Sequence, residues 1–166
     1  SLNAADLNTL AGLTALAGGI TASAATTVTG SASDVDDVYD SNNARFTGIA
    51  NENVTITDTA IDAAVIANID TNNSGIINLS AATSISGTAA NVTAAFTKSL
   101  AGTAMAGLPT DTPVTITDTT VSAETLLTIA GTTAGGSGGQ TTGLVTVSSN
   151  ATSITGNYTD VHDAFK

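Results

Sequence analysis

Four aspartates stand close together in the stretch SDVDDVYD. Because calcium binds several carboxylate oxygens at once, Asp34, Asp36, Asp37 and Asp40 form a candidate Ca²⁺ site. A second interpretation is that Asp34 and Asp37 lie in the first turn of a helix after Ser33, where acidic side chains favour the helix dipole. The residues leave both interpretations open, and calcium is the one cofactor that the sequence suggests.

Hydroxyl and amide side chains recur at the second and fourth positions of the predicted strands. Successive side chains of a strand point to opposite faces, so these positions should face solvent in two files about 4.8 Å apart from strand to strand. Such a face suits polysaccharide, ice or O-linked sugars, although threonine is also a favourable residue on any exposed strand. The candidate ligand face consists of Thr55, Thr57, Asn78, Ser80, Thr115, Thr117, Thr146 and Ser148, with Thr21 and Ser23 as the counterparts in the first repeat.

Catalytic chemistry has little support in the sequence. His162 is the single histidine, and it falls on a predicted helix as a surface residue. An active site needs polar groups that converge in a pocket, whereas Ser, Thr and Asp are spread evenly along this chain. We therefore expect a protein that is not an enzyme.

One sequence motif occurs twice in the 166 residues with some substitutions: VTITDTAIDAAVIANI begins at Val54, and VTITDTTVSAETLLTI begins at Val114. A repeated unit generally buries its apolar side only against a neighbour of the same kind. Between Ile129 and Val145 the third repeat carries a Gly-rich insertion, which predicts a surface loop. We expect a single repeat domain over 1–166, made of repeat 1 (1–53, entered late), repeat 2 (54–113) and repeat 3 (114–166).

Each repeat alternates strand and helix patterns. VTIT has the period of two that is typical of a strand, whereas the apolar residues from Ile61 to Ile69 lie on one helical face. Asp58 or Thr59 is placed to cap that helix, and Thr88 to cap the next one. Short strands that alternate with single helices predict an α/β fold, a right-handed solenoid of about six strand-helix coils with a parallel sheet on one face.

The repeats also predict the core. The strand residues should be buried in one parallel sheet, with apolar helix residues packed on it. The predicted strand residues are Ile56, Leu79, Ile116 and Val147, and the predicted helix residues are Ile66, Val92, Leu126 and Val161.

Composition limits the partners. The chain carries 14 acidic and 3 basic residues, a formal charge of −11, so nucleic acid is a poor partner because phosphate binding needs Lys and Arg. Cysteine is absent, which excludes disulfides and thiolate metal sites. No apolar run approaches the roughly 20 residues of a membrane span.

The strand spacing resembles that of leucine-rich repeats. Val54, Ile56, Thr59 and Ile61 stand at relative positions 1, 3, 6 and 8, similar to the strand-turn part of that family, and Asn150 supplies the side chain typical of its asparagine ladder. The resemblance implies an α/β solenoid with two alternating types of coil. The leading leucine of the family is replaced by Asn51, Ser74, Asp111 and Thr142.

The short sequence motifs of the repeats resemble those of a second group of proteins. SISGTAANVTAAF, SLNAADLNTLAGL and VTITDT are similar to the Thr/Ala/Gly-rich tandem arrays of giant surface proteins of marine bacteria, cyanobacteria especially. That resemblance implies an extracellular location and work in adhesion, coat formation or motility.

Together these features predict a structural or interaction protein of the bacterial cell surface: a block of a surface layer, filament or adhesin. Because no polar cap is visible at either end, we expect copies to associate head to tail. The alternative is a binding module that uses the Thr/Ser face for polysaccharide or ice.

Overall fold

A computed structural model describes residues 1–13, 19–131 and 143–164. Helices and strands alternate along the chain in an α/β fold. The helices are α1 Ala4–Ala11, α2 Ala32–Tyr39, α3 Ala63–Asn72, α4 Ala89–Ala101, α5 Ala123–Ala130 and α6 Tyr158–Ala164. The strands are β1 Leu2–Asn3, β2 Ile20–Thr21, β3 Thr27–Gly30, β4 Phe46–Thr47, β5 Asn53–Ile56, β6 Ala60–Asp62, β7 Ile77–Asn78, β8 Ser84–Gly87, β9 Met105–Ala106, β10 Val114–Ile116, β11 Thr120–Ser122, β12 Val145–Val147 and β13 Ser153–Thr155.

Side-chain caps set the helix starts. The hydroxyl of Thr88 accepts from the backbone N–H of Asn91, which confirms the predicted cap of α4. The predicted cap of α3 by Asp58 or Thr59 is wrong, because strand β6 intervenes and Asp62 caps the helix instead. A strand of two or three residues forms only where a neighbouring strand pairs with it. The local sequence does not reveal that pairing.

Among the described residues all strand pairs are parallel, and they form four sheets rather than the single sheet predicted. Ile56 therefore lies in the five-stranded sheet and Ile116 in the four-stranded sheet. The strand orders are β1-β3-β5-β7-β9, β12-β10-β8-β6, β11-β13 and β2-β4.

The connections between helices explain why the sheet is divided. The connections from α2 to α3 and from α4 to α5 carry three strands, whereas that from α3 to α4 carries two. Helices α1 and α2 follow strands of the five-stranded sheet, α3 and α4 follow strands of the four-stranded sheet, and α5 and α6 follow the β11-β13 pair. In each three-strand connection, the extra strand therefore moves the next helix from one sheet to the neighbouring sheet.

Six of the eight predicted core residues are buried, with Ile56, Ile66, Leu79, Val92, Ile116 and Leu126 at 8% exposure or less. Val147 and Val161 are only half-buried, which corrects the prediction. Val147 lies in β12, the outermost strand of its sheet, and Val161 lies in α6. The Gly-rich part of the third repeat, 132–142, falls outside the described residues.

Candidate functional site

The strand residues of the predicted hydroxyl face are divided between two sheets, and their first-repeat counterpart Thr21 lies in a third, the β2-β4 pair. Thr55 pairs with Asn78 in the five-stranded sheet, whereas Thr115 pairs with Thr146 in the four-stranded sheet. The structure thus holds one short row of these side chains in each of the two sheets. The sequence predicted two rows that run on through a single sheet. Ligand binding on either row stays a prediction.

The fourth-position residues lie just beyond the strand ends. Thr57 and Thr117 are exposed, and their backbone amides donate to the carbonyls of Gly30 and Gly87 at 3.0 and 2.9 Å. Ser80 is also exposed, and its amide donates to its neighbour Asn78 Oδ1 at 2.9 Å. These residues therefore follow the ends of their strands.

Ser148 differs from the other fourth-position residues. Its amide donates to the Ile116 carbonyl at 2.8 Å, while its hydroxyl is buried without a hydrogen-bond partner. The Ser148 hydroxyl is thus enclosed at the end of β12, and its role in ligand binding stays a prediction.

The four aspartates lie on and just after α2, and they have different surroundings. Ser31, not Ser33, caps the helix: its hydroxyl accepts from the Asp34 amide at 3.1 Å and donates to the Asp34 carboxylate at 2.7 Å. Asp37 and Asp40 are exposed. The described residues hold no group of three or more His, Cys, Asp or Glu side chains arranged for a metal, and calcium binding stays a prediction.

Asp36 connects α2 to the next helix. Its Oδ1 accepts from Asn68 Nδ2 of α3 at 2.6 Å. Burial raises the pKa of the Asp36 carboxyl, the hydrogen bond from Asn68 opposes that rise, and the negative charges of Asp40 and Asp37 add to it. The carboxylate thus links α2 to α3, although its ionised form is less stable there than in water.

His162 lies exposed on α6. Its Nδ1 is 3.2 Å from Asp163 Oδ1, and its ring stacks on that of Tyr158 with centroids 5.8 Å apart. Tyr158 and Asp163 both belong to α6, so these contacts of His162 stay within its own helix. The expectation that the chain is not an enzyme stays a prediction.

The aspartate of the repeated VTITD motif joins successive repeats. Asp58 Oδ2 accepts from the Ala32 amide, the first residue of α2, at 2.5 Å. Asp118 Oδ2 accepts from the Ala89 amide, the first residue of α4, at 2.6 Å. Each carboxylate caps a helix of the preceding repeat and also faces its positive dipole end. The prediction that Asp58 caps α3 is therefore wrong, and the local sequence does not reveal this long-range bond.

A second recurring contact joins the two halves of a repeat. Gly30 and Gly87 each end a strand, and a Cβ built on them would lie 2.8 Å from Ala4 Cβ and 2.9 Å from Ala63 Cβ. Those alanines are the first residues of α1 and α3. Only glycine allows this approach, and the recurring Gly before each cap residue was the signal in the sequence.

Glu52 is a buried charged residue that the sequence pattern did not indicate. It is 4% exposed, and its Oε2 accepts from the amides of Ala50 and Asn51 at 2.9 and 3.2 Å and from the Tyr39 hydroxyl at 3.5 Å. Burial, together with the Glu52 charge, raises the pKa of Tyr39 well above its usual value. Ala50 has φ +114°, a strained conformation that the Glu52 hydrogen bonds hold in place.

Several surfaces of the described residues carry clefts. One, of about 650 Å³, is lined by Glu52, and the described residues around it include no second charged side chain. A cleft of about 400 Å³ lies beside Asp118 and Thr93, and an apolar one of about 400 Å³ lies beside β2. No described helix is long and apolar enough to cross a membrane.

Comparison of the chain with protein families, with curated proteins and with solved structures finds no match. The function must therefore be inferred from the geometry of these contacts and surfaces.

Proposed function

We propose that this chain is a structural and interaction module of the bacterial cell surface, built as a right-handed α/β solenoid whose ends associate head to tail. The observation that carries the proposal is the recurrence of one inter-repeat hydrogen bond, Asp58 to Ala32 and Asp118 to Ala89. Units that meet their neighbours through the same contact form a stack that extends in one dimension.

The strand pairing supports a solenoid. Every pair is parallel, and strands that follow each other in a sheet are separated along the chain by a helix. Parallel crossover connections are right-handed in nearly all known cases, which supports the proposed hand. The resemblance to bacterial surface arrays supports the extracellular location.

Binding of polysaccharide or ice is the weaker alternative. A flat ligand face needs continuous files, whereas Thr55 and Thr115 belong to different sheets. We expect the wild-type chain to be inactive in ice-recrystallisation and glycan-binding assays. Activity that disappears in Thr55→Tyr or Thr115→Tyr would overturn this choice.

The first helix supplies one association face. Asn8 Nδ2 of α1 donates to the Asp34 carbonyl of α2 at 2.9 Å, so Asn8 faces the following unit. Leu10 lies two positions further, about 200° around the helix, and therefore faces away from that unit. It is 41% exposed.

The last helix supplies the opposite face. In α2, Asp36 faces α3 through its bond to Asn68, and the repeat alignment places His162 at the same position in α6. Tyr158, one turn earlier, stacks on His162 and is 84% exposed. Aromatic side chains at this exposure are typical anchors of protein interfaces.

Complementary blocking variants test the association. Leu10→Lys blocks one face and Tyr158→Lys blocks the other, and both side chains are exposed enough to be replaced without loss of the core. We expect the wild type to assemble progressively in light scattering, each variant to stay monomeric, and their equimolar mixture to stop at dimers, because one intact junction remains.

Leu100→Lys is the matched control, because Leu100 lies in the middle of the chain and is 59% exposed. This variant should assemble like the wild type. A wild type that stays monomeric at high concentration would overturn the association. Assembly of either blocking variant to the same size as the wild type would also overturn it.

A further inference from the structure

The outer edge of β2 borders an apolar groove of about 400 Å³. The groove-lining side chains that matter here are Leu2, Leu7, Leu10, Ile20 and Thr21. Leu2 and Ile20 are only half-buried, although both belong to the apolar set that packs against the core. An aliphatic groove beside a strand edge is suited to an added strand.

β2 has one partner among the described residues. It pairs with β4, and the Ala22 amide donates to the Thr47 carbonyl at 2.9 Å. In a parallel strand, alternate residues direct their N–H and C=O groups to opposite sides. The backbone groups of Thr21 therefore face the groove, away from β4.

The same place in the next repeat shows what fills such a groove. Ile77 of β7 corresponds to Ile20 in the repeat alignment, and β7 pairs with β9 on one side and with β5 on the other. The pairing sets Val54 opposite Ile77. Val54 and Ile56 of β5 are at most 1% exposed, so this strand completes the core beside β7.

We infer that the groove beside β2 binds an extended segment of a second polypeptide with the alternating sequence Val-Thr-Ile-Thr, the sequence that this chain carries in its buried strands β5 and β10. The segment adds in parallel to β2, with its first Thr opposite Thr21 and its Val opposite Ile20. Its Val and Ile fill the groove, the backbone of Thr21 supplies one set of hydrogen bonds, and the carbonyl of Gly19, the counterpart of Ile76, accepts from the N–H of its Val. The inference rests on the repeat stacking of the proposed function, but not on head-to-tail association.

A peptide with the sequence of residues 113–119, Pro-Val-Thr-Ile-Thr-Asp-Thr, is the probe. NMR titration uses the Tyr158→Lys variant, which leaves the groove intact and keeps the chain monomeric. We expect saturable shifts confined to residues 1–10 and 20–25 at peptide concentrations up to about 1 mM, the weak range typical of a single strand addition.

Two control peptides separate strand addition from adhesion of an apolar peptide. Pro-Val-Ile-Thr-Thr-Asp-Thr has the same composition, but its adjacent Val and Ile cannot both face the groove. The original peptide N-methylated at Val lacks the N–H that corresponds to the Val54 donor, which bonds the Ile76 carbonyl at 2.8 Å. We expect both to bind at least about tenfold more weakly, the cost of one lost hydrogen bond or apolar contact.

Three results would overturn the inference: no shifts with the Val-Thr-Ile-Thr peptide, equal binding of all three peptides, or shifts that map to another strand edge such as that of β12. A failed titration leaves the head-to-tail proposal untouched, because the titration is made on monomers. A wild type that stays monomeric in light scattering leaves the titration valid, and if Tyr158→Lys assembles, the titration is made at a concentration at which light scattering finds only monomers.

Discussion

The bond between repeats can be tested by removing one carboxylate. Asp118→Ala leaves the Ala89 amide, the first N–H of α4, without its acceptor. A hydrogen bond to a charged group contributes about 1.5 to 3 kcal/mol. The site is part-buried, so water replaces some of that interaction. We expect a loss of about 1 to 2 kcal/mol in the free energy of unfolding, near the usual cost of losing an N-cap.

Urea denaturation followed by circular dichroism measures this loss. Asp118→Asn keeps an acceptor oxygen and should lose less, while Asp111→Ala removes the same charge from an exposed site and should lose almost nothing. Asp58→Ala should match Asp118→Ala, because its bond to Ala32 is equivalent. If Asp118→Ala were as stable as Asp111→Ala, the carboxylate would not join the repeats and the reasoning would be refuted.

Three further changes test the packing. Gly87→Ala sets a Cβ 2.9 Å from the neighbouring helix at φ +152°, so a loss above about 1 kcal/mol is expected in urea, whereas Gly12→Ala, at φ −72°, should be tolerated. Ile116→Ala should cost about 2 to 5 kcal/mol, and a melting curve like that of the wild type would contradict the core assignment. Because the pKa of Asp36 is raised in the folded chain, its ionised form opposes folding, and stability should increase as the pH falls through that pKa. Asp36→Asn should therefore melt higher than the wild type at pH 7, more so than Asp37→Asn, and the advantage should vanish at about pH 3.

The local sequence was sufficient for the features that depend on neighbouring residues. Thr88 caps α4 through an amide three positions away, and Ile66 and Val92 are buried as the helical periodicity predicts. Parallel pairing also follows from the alternation of strands and helices. These features need only a few adjacent residues or a repeated spacing.

The features that depend on distant residues were missed. Asp58 has a local capping position available, yet its carboxylate bonds an amide 26 positions earlier. β6 exists because β8 pairs with it, and the same pairing moves the helices and divides the sheet. Such choices between a local and a long-range partner are decided by packing, which periodicity does not reveal.

The pairing of neighbouring residues on the predicted hydroxyl face could be predicted from the sequence, whereas the division of that face could not. Thr55 and Asn78 do lie side by side, as do Thr115 and Thr146, because strand alternation sets which side chains share a face. That the two pairs lie in different sheets depends on the three-strand connection between α4 and α5, which the sequence pattern did not indicate.

Electron microscopy of the purified chain over a range of concentrations tests the central claim most directly. A module that stacks through heterologous end faces should form unbranched filaments of constant width that lengthen with concentration, and Tyr158→Lys should abolish them. Single particles at every concentration, or closed dimers joined by the same face, would contradict the account.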